Sequence, residues 1–278
     1  MYKSAFERLR ECLRGTSTRA EELAPDLIIP AQTLLGTIGF ITWHVRADAC
    51  FAYSVLSRFA SPERLTKFAF RCIVRLAHYI VSTKDLSLHL TPPELTTLPT
   101  GGTCLDLFST YVDSSHGNWT AGGGFGGYVL STDRNPAAPP GSFGGGALAW
   151  GCWTKHCGDD SSAAAELRMA VDAYKQTLVT RFIQTELLVG AAPSRPTRFY
   201  MDASAIVDGF ECERLSRASR WMAIRYGMLR WGVACDTIEL TKLAAEDNPA
   251  DANTKCLVGP AFVRSRNLLL GYPTEPSL

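Results

Sequence analysis

The chain has 278 residues, enough for two domains or for one domain with a sizeable extension. Hydrophobic residues make up 46% and charged residues 20%, an ordinary globular composition that excludes wholesale disorder. Lys+Arg 28 against Asp+Glu 27 gives a net charge of +1, so no global positive field marks a nucleic-acid binder. We see no apolar run approaching about 18 residues, which predicts no membrane span, and the charged opening does not fit a signal peptide. The 9 Cys include no CxxC pair, which favours reduced thiols in a cytoplasmic or nuclear protein that is not secreted.

Residues 1–102 are predicted to form helices followed by a linker. The charged residues 1–25 predict a frayed helix, and the apolar residues 31–57 predict packed helices. Ser61-Pro62-Glu63 is typical of a helix start, with Ser61 as the cap. Apolar residues then recur at helical spacing: Leu65, Phe68, Cys72, Leu76 and Tyr79. The polar, Pro- and Gly-bearing residues 91–102 read as a linker, so we place a domain boundary there.

Residues 103–272 alternate between strand and helix patterns, and residues 273–278 form a tail. Apolar, bounded runs predict strands at 105–113, 126–132, 146–153, 197–202 and 237–243. A long helix is predicted from Ser161 or Ser162 to about Leu188, with a buried stripe of Leu167, Val171, Tyr174, Leu178 and Phe182. Residues 214–231 predict another helix, and Asn248-Pro249 opens the last. This order predicts a mixed α/β layer fold.

Four carboxylates are the candidate chemistry. Asp113 and Asp202 each stand where an apolar strand gives way to small residues, so they share one sheet edge if those strands are parallel neighbours. Glu166 lies in the first turns of the long helix, and Asp251 in the first turn of the last helix. Converging carboxylates repel one another unless cations neutralise them, and oxygen donors select Mg²⁺ or Mn²⁺. Taken singly, each acid also fits ordinary turn or helix-dipole chemistry.

A second candidate feature is a basic segment without acidic residues. Residues 214–231 carry two tryptophans and five arginines: Arg214, Arg217, Arg220, Arg225 and Arg230. Such a helix beside an acidic cleft would bind the phosphates of a duplex. The alternative is a solvated basic face whose tryptophans pack inward.

Motifs occur in a fixed order from about Gln32 to Leu270. The first are TLLGTIGFITWHVRADACFAYSVLSRFASP and RCIVRLAHYIVSTKDLSL. They are followed by YVDSSHGNW, GGGALAWGCWTK, SSAAAELRMAV, FYMDASAIV, IRYGMLR and EDNPADANTKCL. In this order and spacing the chain resembles the C-terminal part of copia-type LTR retrotransposon Pol polyproteins, which is the end of the reverse transcriptase followed by the ribonuclease H domain. The chain departs from the family's pattern at Ser115, Ala203, Trp221 and Gly227.

The resemblance implies a ribonuclease H-like five-stranded mixed sheet flanked by helices, preceded by a helical reverse transcriptase remnant. It places the family's metal-binding and catalytic carboxylates on Asp113, Glu166, Asp202 and Asp251, with two Mg²⁺ or Mn²⁺ ions. It implies hydrolysis of the RNA strand of RNA–DNA hybrids, with the remainder of a reverse transcriptase polyprotein as a partner. The chain has no Tyr-x-Asp-Asp, so polymerisation is not expected. The alternatives are a degenerate or domesticated non-catalytic nucleic-acid-binding or assembly module, and a protein-interaction scaffold.

Overall fold

The computed structural model describes residues 2–14, 22–90, 95–97, 103–105, 108–116, 123–132, 145–154, 161–187, 195–202, 206, 210 and 217–272. Its α-helices are α1 (Tyr2–Arg14), α2 (Ile28–His44), α3 (Cys50–Leu56), α4 (Lys67–Ser82), α5 (Ser162–Leu187), α6 (Ala223–Ala234) and α7 (Gly259–Leu270). Its strands are β1 (Leu95–Thr97), β2 (Thr103–Leu105), β3 (Ser109–Ser114), β4 (Phe125–Ser131), β5 (Ala147–Thr154), β6 (Thr197–Met201) and β7 (Ile238–Lys242).

Five strands form one mixed sheet in the order β5-β4-β3-β6-β7. The antiparallel pairs are β3 with β4 and β4 with β5, whereas β6 runs parallel to both β3 and β7. Strand β3 lies in the middle and is buried along its whole length, as its apolar residues on both faces predict. Helices cover both faces, so the predicted α/β fold, a five-stranded mixed sheet flanked by helices, is confirmed.

The predicted linker contains the short strand β1. This strand pairs antiparallel with β2, which begins at Thr103 directly after the linker, and Leu95 lies opposite Leu105. The strand predicted at 105–113 is therefore divided between the end of β2 and the start of β3 at Ser109.

The two faces of the sheet carry separate hydrophobic clusters. Helices α5 and α6 pack on one face, where Val112, Leu167 and Leu229 are buried together. The helices preceding residue 91 pack on the other face, around Tyr111 and Trp150. Backbone carbonyls connect the layers there, because Trp150 Nε1 donates to the carbonyl of Thr42 at 3.1 Å and Ser54 Oγ donates to that of Cys152 at 2.9 Å.

Helix α4 begins later than predicted. Its cap is Thr66, whose hydroxyl accepts from the amide of Ala69 at 3.1 Å. Ser61 instead accepts backbone hydrogen bonds from Arg64 and Leu65 in the preceding turn. Thr66 has an extended backbone conformation and forms an isolated β-bridge with Leu23. The α-helix therefore begins only after Thr66, which serves as its cap.

Helix α5 has the predicted limits, and the predicted stripe is buried at Leu167, Val171 and Tyr174 but not at its last two members. Leu178 is 40% exposed and Phe182 65% exposed. A helix of 26 residues is about 39 Å long, whereas the six residues of β3 span about 20 Å. The hydroxyls of Thr177 and Thr110 hydrogen-bond at 2.8 Å near the start of β3, so α5 continues past the start of that strand. Beyond Thr177 the helix still contacts β6, because Arg181 Nη1 donates to Thr197 Oγ1 at 2.9 Å.

One described helical stretch is apolar enough to cross a bilayer by length and composition alone. It is Pro25–His44, with mean hydropathy 1.2 and 28% of the window buried. The expectation that no apolar run approaches this length is wrong for this stretch, because its glycines and threonines barely lower the mean hydropathy. The core helices of soluble proteins pass the same test, and α2 packs on α3 and α4 here.

Candidate metal centre

Two neighbouring strands bring Asp113 and Asp202 together. Strands β3 and β6 run parallel with Tyr111 opposite Tyr200, and the two tyrosine rings stack with centroids 4.9 Å apart. Side chains alternate along a strand, so the residues two positions further on continue on the same face. Those residues are Asp113, at the end of β3, and Asp202, directly after β6. The predicted parallel pairing of these strands is confirmed.

Asp251 reaches the same edge from a 3₁₀ helix, Pro249–Asn253. Asn248 caps this helix by accepting from the amide of Ala250 at 3.1 Å, and its Nδ2 donates to the carbonyl of Val112 at 2.8 Å. That second bond fixes the helix beside the residue that precedes Asp113. The prediction that Asn248-Pro249 opens the last α-helix is wrong, because this turn ends at Asn253 and α7 begins at Gly259.

A glycine allows this turn to approach the sheet. Gly127 of β4 lies opposite Asp113 in the register. A side-chain carbon added at Gly127 would stand 2.6 Å from Cβ of Asn253 and 3.0 Å from Cγ2 of Thr254. Asn253 is fully buried and donates to the carbonyl of Tyr128 at 3.2 Å. The absence of a side chain at Gly127 therefore determines how closely Asp251 approaches the strands.

The three aspartates form one cluster. Asp113, Asp202 and Asp251 each offer a carboxylate oxygen, and these atoms lie within 4.8 Å of one another. Oxygens that share an ion with bonds near 2.1 Å stand at most about 4.2 Å apart, so small adjustments of these side chains would suffice for a shared ion. Asp113 is 1% exposed, while the other two are half-buried and reach solvent. The donor set thus fits a hard divalent cation such as Mg²⁺ or Mn²⁺.

The crowding of these acids alters their protonation. Burial and the carboxylate of Asp113 raise the pKa of Asp251 to about 7, against the lowering effect of Lys255. Burial and Asp113 also raise the pKa of Asp202. Both shifts express the cost of gathering negative charge where little water solvates it, which a bound cation would relieve.

Thr254 and Lys255 also contact the cluster, and our sequence reasoning assigned them no role. The Thr254 hydroxyl donates to Oδ2 of Asp113. The Lys255 ammonium lies 2.7 Å from Oδ1 of Asp251 and 3.5 Å from Oδ1 of Asp113. Although burial alone lowers it, these carboxylates raise the pKa of Lys255. The sequence already indicated the contact between Lys255 and Asp251, because the two residues are four positions apart, the spacing that brings side chains together on a helical turn.

The other predicted site residues are Glu166 and the arginines of the basic segment, and the structure describes only some of them. Glu166 is buried in the first turns of α5 but does not belong to the cluster of three. Arg214 lies outside the described residues, and only the backbone of Arg217 is described. Arg220 is exposed, and the guanidinium of Arg225 lies 5.7 Å from the ring centroid of Trp221.

The two tryptophans of the basic segment face solvent. Trp221 is 46% exposed and Trp231 is 68% exposed, so neither packs fully inward. The described part of the segment is a 3₁₀ helix, Arg217–Met222, followed by α6.

Comparison with known proteins gives two structural similarities. No protein-family model and no curated protein sequence matches the chain. A foamy viral protease-reverse transcriptase dRH in complex with double-stranded DNA is similar with 11% identity and a TM-score of 0.41, over 87% of this chain and 35% of that one. A foamy viral protease-reverse transcriptase in complex with double-stranded DNA is similar with 10% identity and a TM-score of 0.37, over 87% and 41%. The chain therefore spans less than half the length of either protein, and at these values neither assigns it to a family.

Proposed function

We propose that this chain is a ribonuclease H-type endonuclease that hydrolyses the RNA strand of RNA–DNA hybrids. The observation that carries the proposal is the carboxylate cluster, because Asp113, Asp202 and Asp251 come from three distant segments and meet at one sheet edge. The strand order and the resemblance to copia-type Pol polyproteins support the same reading. In such a polyprotein the remaining reverse transcriptase would be a partner of this chain.

Each residue of the centre has a proposed task. Asp113, buried and held by the Thr254 hydroxyl, provides a fixed oxygen donor. Asp202 and Asp251 provide donors that also face solvent, and Glu166 is proposed as the fourth acidic residue. Two Mg²⁺ or Mn²⁺ ions held there would supply an activated water and stabilise the leaving oxygen of a phosphodiester. Binding of these ions would require the Lys255 ammonium to move away from Asp113 and Asp251, because it now neutralises their charge.

The test is cleavage of a labelled hybrid in the presence and absence of Mg²⁺. We expect magnesium-dependent cleavage by the unaltered chain and a loss of at least about 100-fold in Asp113→Asn, which keeps the shape but not the charge. Asp172→Asn is the matched control, because Asp172 is a half-exposed acid on α5, outside the cluster, that pairs with Lys175 at 3.4 Å. Cleavage that persists at full rate in Asp113→Asn would contradict the proposal.

The basic segment is proposed to bind the hybrid's phosphates. Arg214, Arg217, Arg220 and Arg225 are the candidates, and the exposed Trp221 offers a ring beside them. Replacing Arg217 and Arg220 with Ala should flatten the salt dependence of hybrid binding, since each lost phosphate contact removes about one unit of slope. Arg71→Ala, at an exposed position on α4, is the control. An unchanged slope in the double variant would reject this role.

A non-catalytic nucleic-acid-binding module is the second candidate, and Lys255 favours it. Its ammonium supplies a positive charge to the acids from within the chain, so the cluster persists without an ion. Salt-dependent hybrid binding with no cleavage, and no Mg²⁺ or Mn²⁺ binding by calorimetry at millimolar concentration, would establish this function instead.

A further inference from the structure

A cavity of about 230 Å³ is lined by the N-terminal helices and by the segment that connects the metal centre to α7. Its walls include aromatic and aliphatic side chains of α1, α3, α4 and α7: Phe6, Phe51, Leu76 and Phe262. An apolar cavity of about 150 Å³ is large enough to bind benzene. This cavity, which we call the interhelical cavity, therefore has room for a small apolar ligand.

Three of the described residues that line the interhelical cavity are charged, and two of them are already paired. Asp48 lies 2.8 Å from Arg46, and Lys255 lies 2.7 Å from Asp251. Arg75 is exposed and forms no ion pair within the described part of the chain. Because Arg75 both lines the cavity and reaches solvent, it lies where the cavity opens, with its charge available to a ligand.

The positive charge extends into the cavity as far as Cys72, a half-buried residue of its wall. Burial raises the pKa of the Cys72 thiol, whereas Arg75, Arg8 and Arg71 act in the opposite direction. Arginines that favour the charged form of a thiol also favour another anion in the same place. The interhelical cavity thus combines apolar walls with a positive potential at its opening.

We propose that the interhelical cavity binds a small apolar monocarboxylate, with its hydrocarbon part between Phe51 and Leu76 and its carboxylate on Arg75. A guanidinium binds a carboxylate through two parallel hydrogen bonds, which fixes the orientation of the ligand. The cavity is smaller than the 300–1,000 Å³ typical of about drug-sized ligands, which favours a chain of medium length such as octanoate. This site does not depend on the proposed nuclease activity, so either can fail without the other.

Calorimetric titration with octanoate, hexanoate and octanol tests this chemistry. We expect saturable binding of octanoate with a dissociation constant below about 1 mM. Hexanoate should bind about 15-fold more weakly, because each of the two missing methylenes is worth about fourfold.

The role of Arg75 is tested by comparing the charged and the neutral ligand. Arg75→Ala should weaken octanoate by about fivefold and leave octanol unchanged, because only octanoate carries the charge. Arg64→Ala is the matched control, at an exposed position outside the cavity lining. The absence of saturable octanoate binding at about 10 mM, or equal effects of the two variants, would overturn the proposal.

The position of the ligand is tested by filling the cavity. Ala52 is a half-buried residue of α3 in the cavity wall, and Ala52→Leu adds side-chain carbons to the space that the ligand needs. We expect octanoate and octanol to bind at least about tenfold more weakly to this variant. Ala234→Leu, at an exposed position on α6, is the matched control, and circular dichroism melts establish that both variants are folded.

Protection of Cys72 gives a second measurement in the unaltered chain. Octanoate at about ten times its dissociation constant should slow the reaction of Cys72 with N-ethylmaleimide by about tenfold, since only the ligand-free fraction reacts. The exposed Cys235 should react at an unchanged rate. Unchanged octanoate binding by Ala52→Leu, or a Cys72 reaction that octanoate does not slow, would place the ligand elsewhere and overturn the proposal.

Discussion

Gly127→Ala tests whether close approach of the 3₁₀ helix to the sheet builds the metal centre. The added methyl would stand 2.6 Å from Cβ of Asn253 and 3.0 Å from Cγ2 of Thr254. Non-bonded carbons prefer about 3.5–4.0 Å, so the turn must move by about 1 Å. Asn253 cannot yield easily, because it is buried and bonded to the carbonyl of Tyr128.

The expected effects of Gly127→Ala follow from that displacement. Overpacking of this kind costs about 1–3 kcal/mol. For a protein of this size each kcal/mol lowers the melting temperature by about 2–4 °C, so we expect a decrease of about 2–12 °C. A misplacement of about 1 Å at a reacting centre lowers the rate by about 100-fold. Hybrid cleavage should therefore fall much further than stability does.

Gly227→Ala provides the matched control. Gly227 lies inside α6, and a side-chain carbon there meets nothing within 4 Å. Alanine should stabilise this helix by about 0.5–1 kcal/mol, so the two substitutions should shift the melting temperature in opposite directions. If the Gly127→Ala variant has the same melting temperature and the same rate of hybrid cleavage as the unaltered chain, close packing of the 3₁₀ helix on the sheet does not determine the geometry of the site.

Three further predictions concern buried polar groups. Asp48→Ala should lower the free energy of unfolding by about 3–5 kcal/mol in denaturant titration, because it removes the carboxylate that lies 2.8 Å from the buried Arg46 guanidinium. Asp172→Ala, at a half-exposed position, should cost less than about 1 kcal/mol. Trp150→Phe should cost about 1–3 kcal/mol in the same titration, because the carbonyl of Thr42 loses its donor. The pKa of Asp251 is about 7 against 3.8 for a free side chain, so its contribution to stability is complete below 3.8 and is lost as pH rises through about 7. Melting without metal should therefore show lower stability at about pH 8 than at about pH 5, with a smaller difference in Asp251→Asn.

Each of these predictions has a contradicting outcome. Equal losses in the free energy of unfolding for Asp48→Ala and Asp172→Ala would show that burial does not strengthen the Arg46–Asp48 ion pair. A Trp150→Phe variant as stable as the unaltered chain would show that water satisfies the Thr42 carbonyl. An unchanged pH profile in Asp251→Asn would assign the pH dependence to another group.

Much of the sheet could be predicted from the sequence, because local patterns and the fold agree there. The strand β6 and both ends of α5 match their predicted limits closely. Asp113 and Asp202 were identifiable because each ends an apolar strand, and parallel pairing brings such ends together. The apolar periodicity of α5 could not reveal that the sheet is shorter than the helix, so Leu178 and Phe182 were wrongly assigned to the core.

Other features depend on contacts between distant segments. Asn248 carries a genuine capping signal, but the sequence does not show that its side chain binds the carbonyl of Val112 or that the turn ends after five residues. The cap at Ser61 was equally plausible in sequence, and the pairing of Thr66 with Leu23 selected the later start. Lys255 was part of a recognised motif, yet its place between two carboxylates appears only in three dimensions.

The packing of the N-terminal helices on the sheet has a practical consequence for dissecting this chain. Trp150 and Tyr111 belong to one cluster with residues of α2, α3 and α4. Expression of residues 103–278 alone would uncover that entire surface and leave the indole of Trp150 without its acceptor. Such a truncated product should accumulate in inclusion bodies, and co-expression of residues 1–102 as a separate polypeptide should recover it.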